Sequence, residues 1–331
     1  MVTNRPISPN TTPLEFSSRI GLGAGPVSAL MTGDNHNQQL LVLEAALRAG
    51  ISWIDTAAGY GAGKSEEAIG IALQKLGQPA VNIATKVRLA PEQLDKPLDA
   101  VRDSVFASLK RLKRSSCDLL YLHNAITPAT ADIPASVGLN EVLKPHGILD
   151  AMLHLREEGL VKHLAITATG VPECNLAVLE TGKVHAMQIP FHLLNPSAAI
   201  KVPDGVVEMD YQMQIPRARA MGVRVFAIRV LAGGALAMQP PSAHTLTTPY
   251  FPLALFQKDC ERAGKLLQHL PKGMSLPEAA IRFVLGFPDV DCVLLGLGNQ
   301  TDVETLGRCN LAGPLQEGLQ KGILQQALNQ S

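Results

Sequence analysis

Four polar side chains stand at or just after the ends of consecutive apolar segments, and their chemical types suit proton transfer. Asp55 and Tyr60 occur in WIDTAAGYG (53–61), Lys86 occurs in IATKV, and His123 ends CDLLYLH. A phenol has a pKa of about 10 and is a weak acid at neutral pH. A neighbouring ammonium group stabilises the phenolate, and a carboxylate beside that ammonium keeps it charged despite burial.

This set could reduce a carbonyl or oxidise an alcohol. Tyr60 would protonate a carbonyl oxygen while a hydride reaches the carbon, and its phenolate would take the proton of an alcohol in the reverse direction. Lys86 would adjust the phenol, Asp55 would act through Lys86, and His123 would orient the carbonyl oxygen. Each residue alone has an ordinary explanation as a cap, a packed ring or a solvated side chain. Their joint occurrence after three successive segments favours the chemical interpretation.

Eight short apolar segments recur along the chain and predict eight strands. They cover residues 19–23, 52–57, 81–87, 117–123, 163–169, 185–191, 223–231 and 291–298. Amphipathic stretches lie between them, and helices are expected at 37–50, 64–77, 98–113, 148–159 and, across a proline, 209–222. Strands that alternate with helices pair in parallel through crossover connections. Eight such units predict an α/β fold, the (β/α)8 TIM barrel, whose chemistry sits at the carboxyl ends of the strands.

The chain is longer than the roughly 250 residues typical of such a barrel, and long loops after the fourth, sixth and seventh strands account for the excess. No change of composition marks a linker, so residues 1–331 are expected to form one barrel domain with an ordered core of about 15–328. An open doubly wound sheet is the alternative. It is disfavoured because GLGAGP (21–26) has Pro26 where the dinucleotide fingerprint needs its third glycine.

Composition argues against several classes of partner. Lys plus Arg equals Asp plus Glu, 29 of each, which gives no support to binding of nucleic acid or an anionic membrane. The five cysteines are scattered without a CxxC pair, so neither a metal site nor a disulfide framework is expected. The polar N-terminus lacks the apolar core of a signal peptide. A cytoplasmic protein is expected, either a monomer or a small homo-oligomer.

The segments GISWIDTAAGYGAGKSEEAIGIAL, IATKV, SLKRLKRSSCDLLYLHN and LREEGLVKHLAIT resemble, in order and spacing, the aldo-keto reductase superfamily. The resemblance runs from about residue 19 to about residue 310. It implies a barrel that binds a nicotinamide dinucleotide across the strand ends without a metal. The family's catalytic tetrad falls on the four residues introduced above, with no substitution.

The branch of the family gives an expectation for the substrate. AITATGVP and AIRVLAGGAL look more like the galactose, fucose and threo-aldose dehydrogenases than like mammalian aldose reductases. That resemblance implies interconversion of an aldehyde or hemiacetal, such as an aldose, with its alcohol or lactone. Aromatic residues make up only 4% of the chain, which favours a small, polar, hydroxylated carbonyl compound or sugar over a steroid or an aromatic aldehyde.

The resemblance also implies cofactor contacts. The family's Ser-Asn pair after the fifth strand reads Thr167-Ala168, so one of its two hydrogen bonds to the nicotinamide amide is lost. Gln188 matches the family's glutamine at the same amide, and Ile228 stands where an aromatic ring stacks on the nicotinamide. Further contacts are expected after the seventh and eighth strands, at Arg229, Leu231, Gly296, Gly298, Asn299 and Asp302.

The stretch GLGNQTDVETL (296–306) bears on the choice between NAD and NADP. It opens a helix after the eighth strand, where barrels often bind phosphate. NADP-preferring relatives place Arg or Lys here, whereas this chain has Gly298 and Asp302. Asp302 has two explanations: an acid favoured by the helix dipole, or a group that repels a 2′-phosphate. Either way the phosphate lacks a cation, so NAD is expected over NADP unless Arg229 or Arg308 supplies one.

Thr301 and Glu304 fit the pattern of a capping box at the start of this helix, which would give Glu304 a structural role.

Two other functions stay open at this point. A Schiff-base aldolase or isomerase would use Lys86 as its nucleophile, but Asp55 would hold that lysine protonated. A non-catalytic barrel that senses a cofactor and regulates a partner is the other alternative, against which the intact tetrad argues.

Overall fold

The computed structural model describes residues 14–247 and 251–329, and eight strands of this region close into a parallel barrel. With all strands numbered in chain order, the barrel strands are β1 (Ile20–Gly23), β2 (Trp53–Asp55), β3 (Asn82–Val87), β4 (Cys117–Leu122), β7 (Val161–Thr167), β8 (Ala186–Pro190), β9 (Arg224–Ile228) and β10 (Cys292–Gly296). Around the barrel they run β1-β10-β9-β8-β7-β4-β3-β2. The predicted TIM barrel is confirmed.

Helices surround the barrel and fill its longer connections. They are α1 (His36–Arg48), α2 (Lys64–Lys75), α3 (Pro97–Leu112), α4 (Leu139–Leu143), α5 (Ile148–Glu157), α6 (Pro172–Glu180), α7 (Gln214–Ala220), α8 (Ala243–Thr247), α9 (Leu253–Leu266), α10 (Leu276–Leu285), α11 (Gln300–Ala312) and α12 (Glu317–Leu328). None of the helices in the described part of the chain is long and apolar enough to cross a bilayer.

Two of the connections differ from the expectation. The loop after β4 contains two further strands, β5 (Ala125–Thr127) and β6 (Ser136–Gly138), which form a small parallel sheet. The helix expected at 209–222 is shorter, because α7 begins only at Gln214. Pro216 therefore lies in the first turn, where the missing N–H removes no helical hydrogen bond.

Alternate residues of each strand face the interior of the barrel, because side chains in a strand point to opposite faces in turn. The interior layer is apolar and contains Trp53, Ala84, Leu119, Tyr121, Ala165, Ala186, Phe226, Cys292 and Leu294. Trp53 and Phe226 pack edge to face, with ring centroids 5.2 Å apart. The next inward positions toward the carboxyl ends of β2, β3, β4, β7 and β8 carry the polar residues Asp55, Lys86, His123, Thr167 and Gln188.

Candidate active site

The ammonium group of Lys86 joins three of the four predicted residues into one cluster. Its Nζ lies 2.6 Å from Asp55 Oδ2, 2.7 Å from the carbonyl oxygen of Thr56 and 3.1 Å from the Tyr60 hydroxyl oxygen. Lys86 is 1% exposed, so these three acceptors replace water around the charge. Burial alone would lower the pKa of Lys86, but the nearby Asp55 and Tyr60 outweigh it and raise that pKa above its ordinary value. Lys86 is therefore a charged ammonium at neutral pH.

A tight left-handed turn positions the Tyr60 ring above Lys86. Residues 60–63 form a tight turn in which Gly61, Ala62 and Gly63 all have positive φ, at 60°, 54° and 95°. Positive φ is strained for alanine but is readily adopted by glycine. The two glycines therefore lower the conformational energy of this turn. A Cβ added to Gly25 would lie 3.6 Å from the Tyr60 ring, which shows how closely the β1 loop approaches it.

His123 lies beside Tyr60 at the end of β4. The two rings meet edge to face, with centroids 5.6 Å apart. Burial is the main cause that holds the pKa of His123 well below its ordinary value, and the charges of Arg88, Lys86 and His244 add to it. The imidazole is therefore neutral, and its N–H can donate a hydrogen bond to a carbonyl oxygen near Tyr60.

A second polar network lies next to Lys86, and the sequence analysis did not predict it. Glu66, in the first turn of α2, is fully buried and accepts a hydrogen bond of 2.5 Å from Thr85 Oγ1. Arg111 of α3 pairs with the same carboxylate at 2.6 Å. Ser65 Oγ lies 2.8 Å from Thr56 Oγ1 and so links α2 to the residue whose carbonyl accepts from Lys86. An acid in a first helical turn is ordinary at the sequence level, so only the fold reveals this role.

Thr167 and Gln188 lie side by side, because they pair in register on β7 and β8. Thr167 is 5% and Gln188 is 1% exposed. Thr167 Oγ1 and Gln188 Nε2 have no hydrogen-bond partner among the described residues. Buried polar atoms of this kind are costly unless something bonds them. Ala168, also buried, contributes its backbone N–H to the carbonyl oxygen of Gln188 and has no polar side chain to offer.

The start of α11 is closed by a capping box different from the predicted one. Asn299 is the N-cap, and its side chain accepts the N–H of Asp302 at 3.0 Å. The Asp302 carboxylate accepts the N–H of Gly298 at 2.7 Å and that of Asn299 at 3.2 Å. The expected pair of Thr301 and Glu304 does not form the box. The helix begins at Gln300, so Asn299 precedes Thr301 as the first capping residue.

Other residues with predicted cofactor contacts lie at the same end of the barrel. Leu231 directly precedes the 3₁₀ segment Ala232–Ala237, and Gly296 ends β10. Arg229 lies in the left-handed region with φ 55°, and its guanidinium stacks on the Phe251 ring at 3.5 Å from the centroid. Arg308 donates to Thr305 Oγ1 within its own helix. These contacts hold the side chains of Arg229 and Arg308 away from the start of α11.

The comparisons with known proteins settle the family. The model of the aldo/keto reductase family matches residues 19–311, most of the chain. The chain belongs to the aldo/keto reductase family. It is thus an oxidoreductase that uses a nicotinamide dinucleotide. Its relatives include L-galactose dehydrogenase of Arabidopsis thaliana, 24% identical over 302 residues and covering 87% of this chain and 82% of that protein. D-threo-aldose 1-dehydrogenase of a Pseudomonas species is 27% identical over 303 residues, 84% of each chain.

Solved structures of aldo-keto reductases share the fold. The holo form of a Bacillus halodurans reductase has a TM-score of 0.71 at 22% identity and covers 97% of this chain and 95% of that one. A Klebsiella pneumoniae reductase in complex with NADPH has a TM-score of 0.62 at 21% identity, with 91% and 87% covered. At this level of identity the likeness concerns the barrel and its connections.

The residues of this reductase fit a nicotinamide group. A carboxamide offers one acceptor oxygen and one donor nitrogen, which matches the unpartnered Thr167 Oγ1 and Gln188 Nε2. At the end of β10, Gly296 is exposed, and a Cβ added there would lie 3.4 Å from Ser28 Cβ. Because Gly296 has no side chain, a flat ligand could approach the backbone at the end of β10. No group of three or more His, Cys, Asp or Glu side chains in residues 14–247 and 251–329 is arranged to hold a metal ion.

Proposed function

We propose that this reductase interconverts an aldehyde or hemiacetal, in particular an aldose, with its alcohol or lactone, and that Tyr60 is its general acid and base. The observation that carries the proposal is the direction of one hydrogen bond. Lys86 is an ammonium and can only donate, so the Tyr60 oxygen accepts from it at 3.1 Å. The hydroxyl proton of Tyr60 is then free for the substrate oxygen.

The chain's own residues would handle the proton. In reduction, Tyr60 gives its proton to the carbonyl oxygen, and the resulting phenolate stays next to the Lys86 charge. In oxidation, that phenolate takes the proton of the hydroxyl group. His123, neutral and edge-on to the Tyr60 ring, would donate to the same substrate oxygen and fix its position. Asp55 keeps the ammonium charged and in place through its 2.6 Å ion pair.

Thr167 and Gln188 would hold the nicotinamide carboxamide, and the bound cofactor supplies or accepts the hydride at the substrate carbon. Their side chains lie on adjacent paired strands and would therefore hold the carboxamide from two sides. The substitution of Ala168 for the family's asparagine removes one hydrogen bond from this set. Ile228 contributes an aliphatic surface at the end of β9 where relatives have a ring.

The aldose assignment is supported by relatives and by composition. Two relatives that cover more than four fifths of this chain are named for oxidation of L-galactose and of D-threo-aldoses. The low aromatic content, 4%, disfavours a pocket for steroids or aromatic aldehydes.

NAD is the cofactor that we propose this chain prefers. The Asp302 carboxylate already accepts two backbone N–H groups at the start of α11, and its negative charge opposes a 2′-phosphate there. The guanidinium of Arg308 donates to Thr305 Oγ1 and that of Arg229 stacks on the Phe251 ring, so neither is placed to offset this charge. The Klebsiella reductase was solved with NADPH, so the choice requires a direct measurement on this chain.

A Schiff-base mechanism is disfavoured by the same cluster. A nucleophilic amine needs a free lone pair, whereas the Lys86 ammonium is committed to three acceptors.

A screen of aldoses and small aldehydes with NAD(H) and NADP(H), in wild type and Tyr60→Phe, tests the proposal. We expect turnover of at least one sugar and a loss of kcat of about 10²–10⁴-fold in Tyr60→Phe. Cofactor affinity, measured by fluorescence titration, should stay within a few-fold, because the ring is retained. Tyr121→Phe is the matched control, since Tyr121 is a buried tyrosine outside the tetrad whose hydroxyl group has no partner among the described residues. Near-wild-type kcat in Tyr60→Phe would reject Tyr60 as the acid and base.

A further inference from the structure

Arg88 stands at the mouth of the candidate active site. It follows the last residue of β3, and alternation along the strand places it on the same side as Ala84 and Lys86, facing the barrel axis. The carbonyl oxygen of Val87, its direct neighbour, accepts the backbone N–H of His123 at 2.8 Å. Arg88 is exposed, unlike the buried Lys86 two residues earlier. It therefore lies at the rim beside His123.

Arg88 has no internal partner in the part of the chain that the structure describes. Within residues 14–247 and 251–329, its guanidinium takes part in no ion pair and no hydrogen bond. Arginines that serve only the fold look different in this chain. Arg19 donates to three backbone carbonyl groups, and Arg111 pairs with a buried carboxylate. An arginine at a pocket rim with five free donors is suited to a carboxylate or a phosphate.

The charged side chains that act on the two histidines at the mouth are arginine and lysine. Burial is the largest cause that lowers the pKa of His123 and of His244. Arg88 and Lys86 lower the pKa of His123 further, and Arg229 and Arg88 lower that of His244. The carboxylate within the tetrad, Asp55, is paired with Lys86 at 2.6 Å.

Arg229 is a second arginine, and it follows a strand that lies across the barrel from β3. Arg229 follows β9 and lines a cavity of about 200 Å³ together with His192, Tyr211 and Asp259. The carboxylate of Asp259 pairs with Arg262 at 3.6 Å, and no ion pair joins it to Arg229 among the described residues. Positive groups thus follow two barrel strands, β3 and β9, and His244 is within electrostatic reach of both.

We propose that Arg88 binds an anionic group of the substrate, so that the preferred substrate is a small hydroxylated aldehyde or hemiacetal that carries a carboxylate or a phosphate. The inference rests on the proposed function and narrows its substrate class. Arg88 would hold the anionic end while Tyr60 and His123 hold the reacting oxygen. Arg229 would add long-range attraction without direct contact.

Matched pairs of sugars test the proposal. The pairs are D-galacturonate with D-galactose, and D-glucose 6-phosphate with D-glucose, each with NAD and NADP. We expect at least tenfold higher kcat/KM for one anionic member than for its neutral partner, mainly through KM. Arg88→Gln should lower kcat/KM for the anionic sugar at least tenfold. It should leave kcat/KM for the neutral sugar within twofold of the wild-type value. Arg48→Gln is the control, because Arg48 is an exposed arginine on α1, outside the mouth.

The result also separates the two proposals. Turnover of neutral sugars with no anionic preference, or an equal loss for both members in Arg88→Gln, overturns the role of Arg88 and leaves the proposed function intact. No turnover of any sugar or aldehyde with either cofactor overturns the proposed function. Calorimetric titration of wild type and Arg88→Gln with D-galacturonate then still decides the role of Arg88. Binding that is lost in the variant supports the site, and equal binding or no binding in both proteins rejects it.

Discussion

At the scale of single residues, Lys86 determines the geometry of the candidate site. Its ammonium donates to a strand-end carboxylate, a backbone carbonyl and the Tyr60 oxygen, so it fixes three separate pieces of chain at once. Because all three contacts involve its charge, no neutral side chain of similar length can replace it. The chemistry proposed for Tyr60 depends on this contact.

Lys86→Met should abolish turnover or shift the apparent pKa of the pH–rate profile upward. The positive charge that favours the phenolate is lost, while the apolar stem is kept. Initial rates of sugar oxidation from pH 6 to 10 would measure the shift. Lys75→Met, at an exposed position of α2, is the control and should leave the profile unchanged.

The single variant leaves Asp55 buried without its partner, which destabilises a protein by several kcal/mol. The double variant Asp55→Asn with Lys86→Met removes both charges and should fold better. An active double variant with an unshifted profile would contradict the role of Lys86.

Removal of two buried hydroxyl groups in the barrel should have different effects on the free energy of unfolding. Tyr121 OH has no partner among the described residues, and burial raises the pKa of Tyr121 well above its ordinary value. Tyr121→Phe should therefore change the free energy of unfolding by less than about 1 kcal/mol, or increase it. Thr85→Val removes the donor to buried Glu66 and should cost about 1–3 kcal/mol. Urea unfolding measures both, and a larger loss in Tyr121→Phe would show that its hydroxyl group is bonded.

Residue types and spacing were enough to predict the cluster of Asp55, Tyr60 and Lys86, because strand ends in a barrel converge and these side chains are unusual there. They were not enough for Glu66 or Arg88. An acid in a first helical turn and an arginine after a strand are common, and only the contacts of Glu66 and the unused donors of Arg88 distinguish them.

At the scale of elements, the start of α11 shows why a correct pattern can predict the wrong cap. Thr301-x-x-Glu304 and Asn299-x-x-Asp302 both satisfy the capping rule, and the sequence does not say which pair begins the helix. The end of β10 and its short connection place the first helical residue at Gln300, which selects Asn299. That Asp302 opposes a phosphate stays a prediction. Its carboxylate lies at the start of α11 and accepts the N–H groups of Gly298 and Asn299.

Asp302→Arg should increase kcat/KM with NADP and lower it with NAD, because a carboxylate is replaced by a cation at the start of α11. It should also cost about 1 kcal/mol of stability, since the capping box is lost. Steady-state kinetics with both cofactors measures the first effect, and thermal unfolding measures the second. Asp302→Asn separates them, because it removes the charge and keeps one acceptor oxygen. A strong wild-type preference for NADP, or no gain in Asp302→Arg, would contradict the proposal.

At the scale of the whole molecule, the repeated alternation of strand and helix was sufficient to predict the barrel. Seven of the barrel strands lie within the predicted apolar segments and are one to four residues shorter, whereas β7 begins and ends two residues before its segment. The insertions were harder, because β5, β6 and α4 are stabilised by contacts specific to this loop. Asn124, for example, donates to the carbonyl groups of Leu89 and Ala135 and accepts the N–H of Leu89. Hydrogen bonds between loops that are distant in the sequence leave no periodic pattern of apolar residues from which they could be predicted.

The stability of the molecule should fall as pH falls below neutrality, and His192 should contribute to this loss. Burial first, and then Arg229 and Arg262, lower the pKa of His192 from 6.5 to about 3. The native state therefore keeps His192 neutral, while the unfolded chain takes up a proton below pH 6.5. The stabilisation is complete above pH 6.5 and is lost progressively as pH falls toward 3. Asp259 acts in the opposite direction, because burial raises its pKa to about 6 and the native state is the one that takes up its proton.

His192→Gln isolates the histidine from the other titrating groups. Between pH 7 and pH 5 the wild type should lose about 2 kcal/mol more of its free energy of unfolding than this variant, since each pH unit below the unfolded pKa is worth about 1.4 kcal/mol. Urea unfolding at the two pH values gives the difference. His269→Gln is the control, because His269 is exposed and its removal should leave the wild-type pH dependence unchanged. An equal pH dependence in wild type and His192→Gln would mean that His192 is protonated in the native state, or that its cavity opens to water at acidic pH.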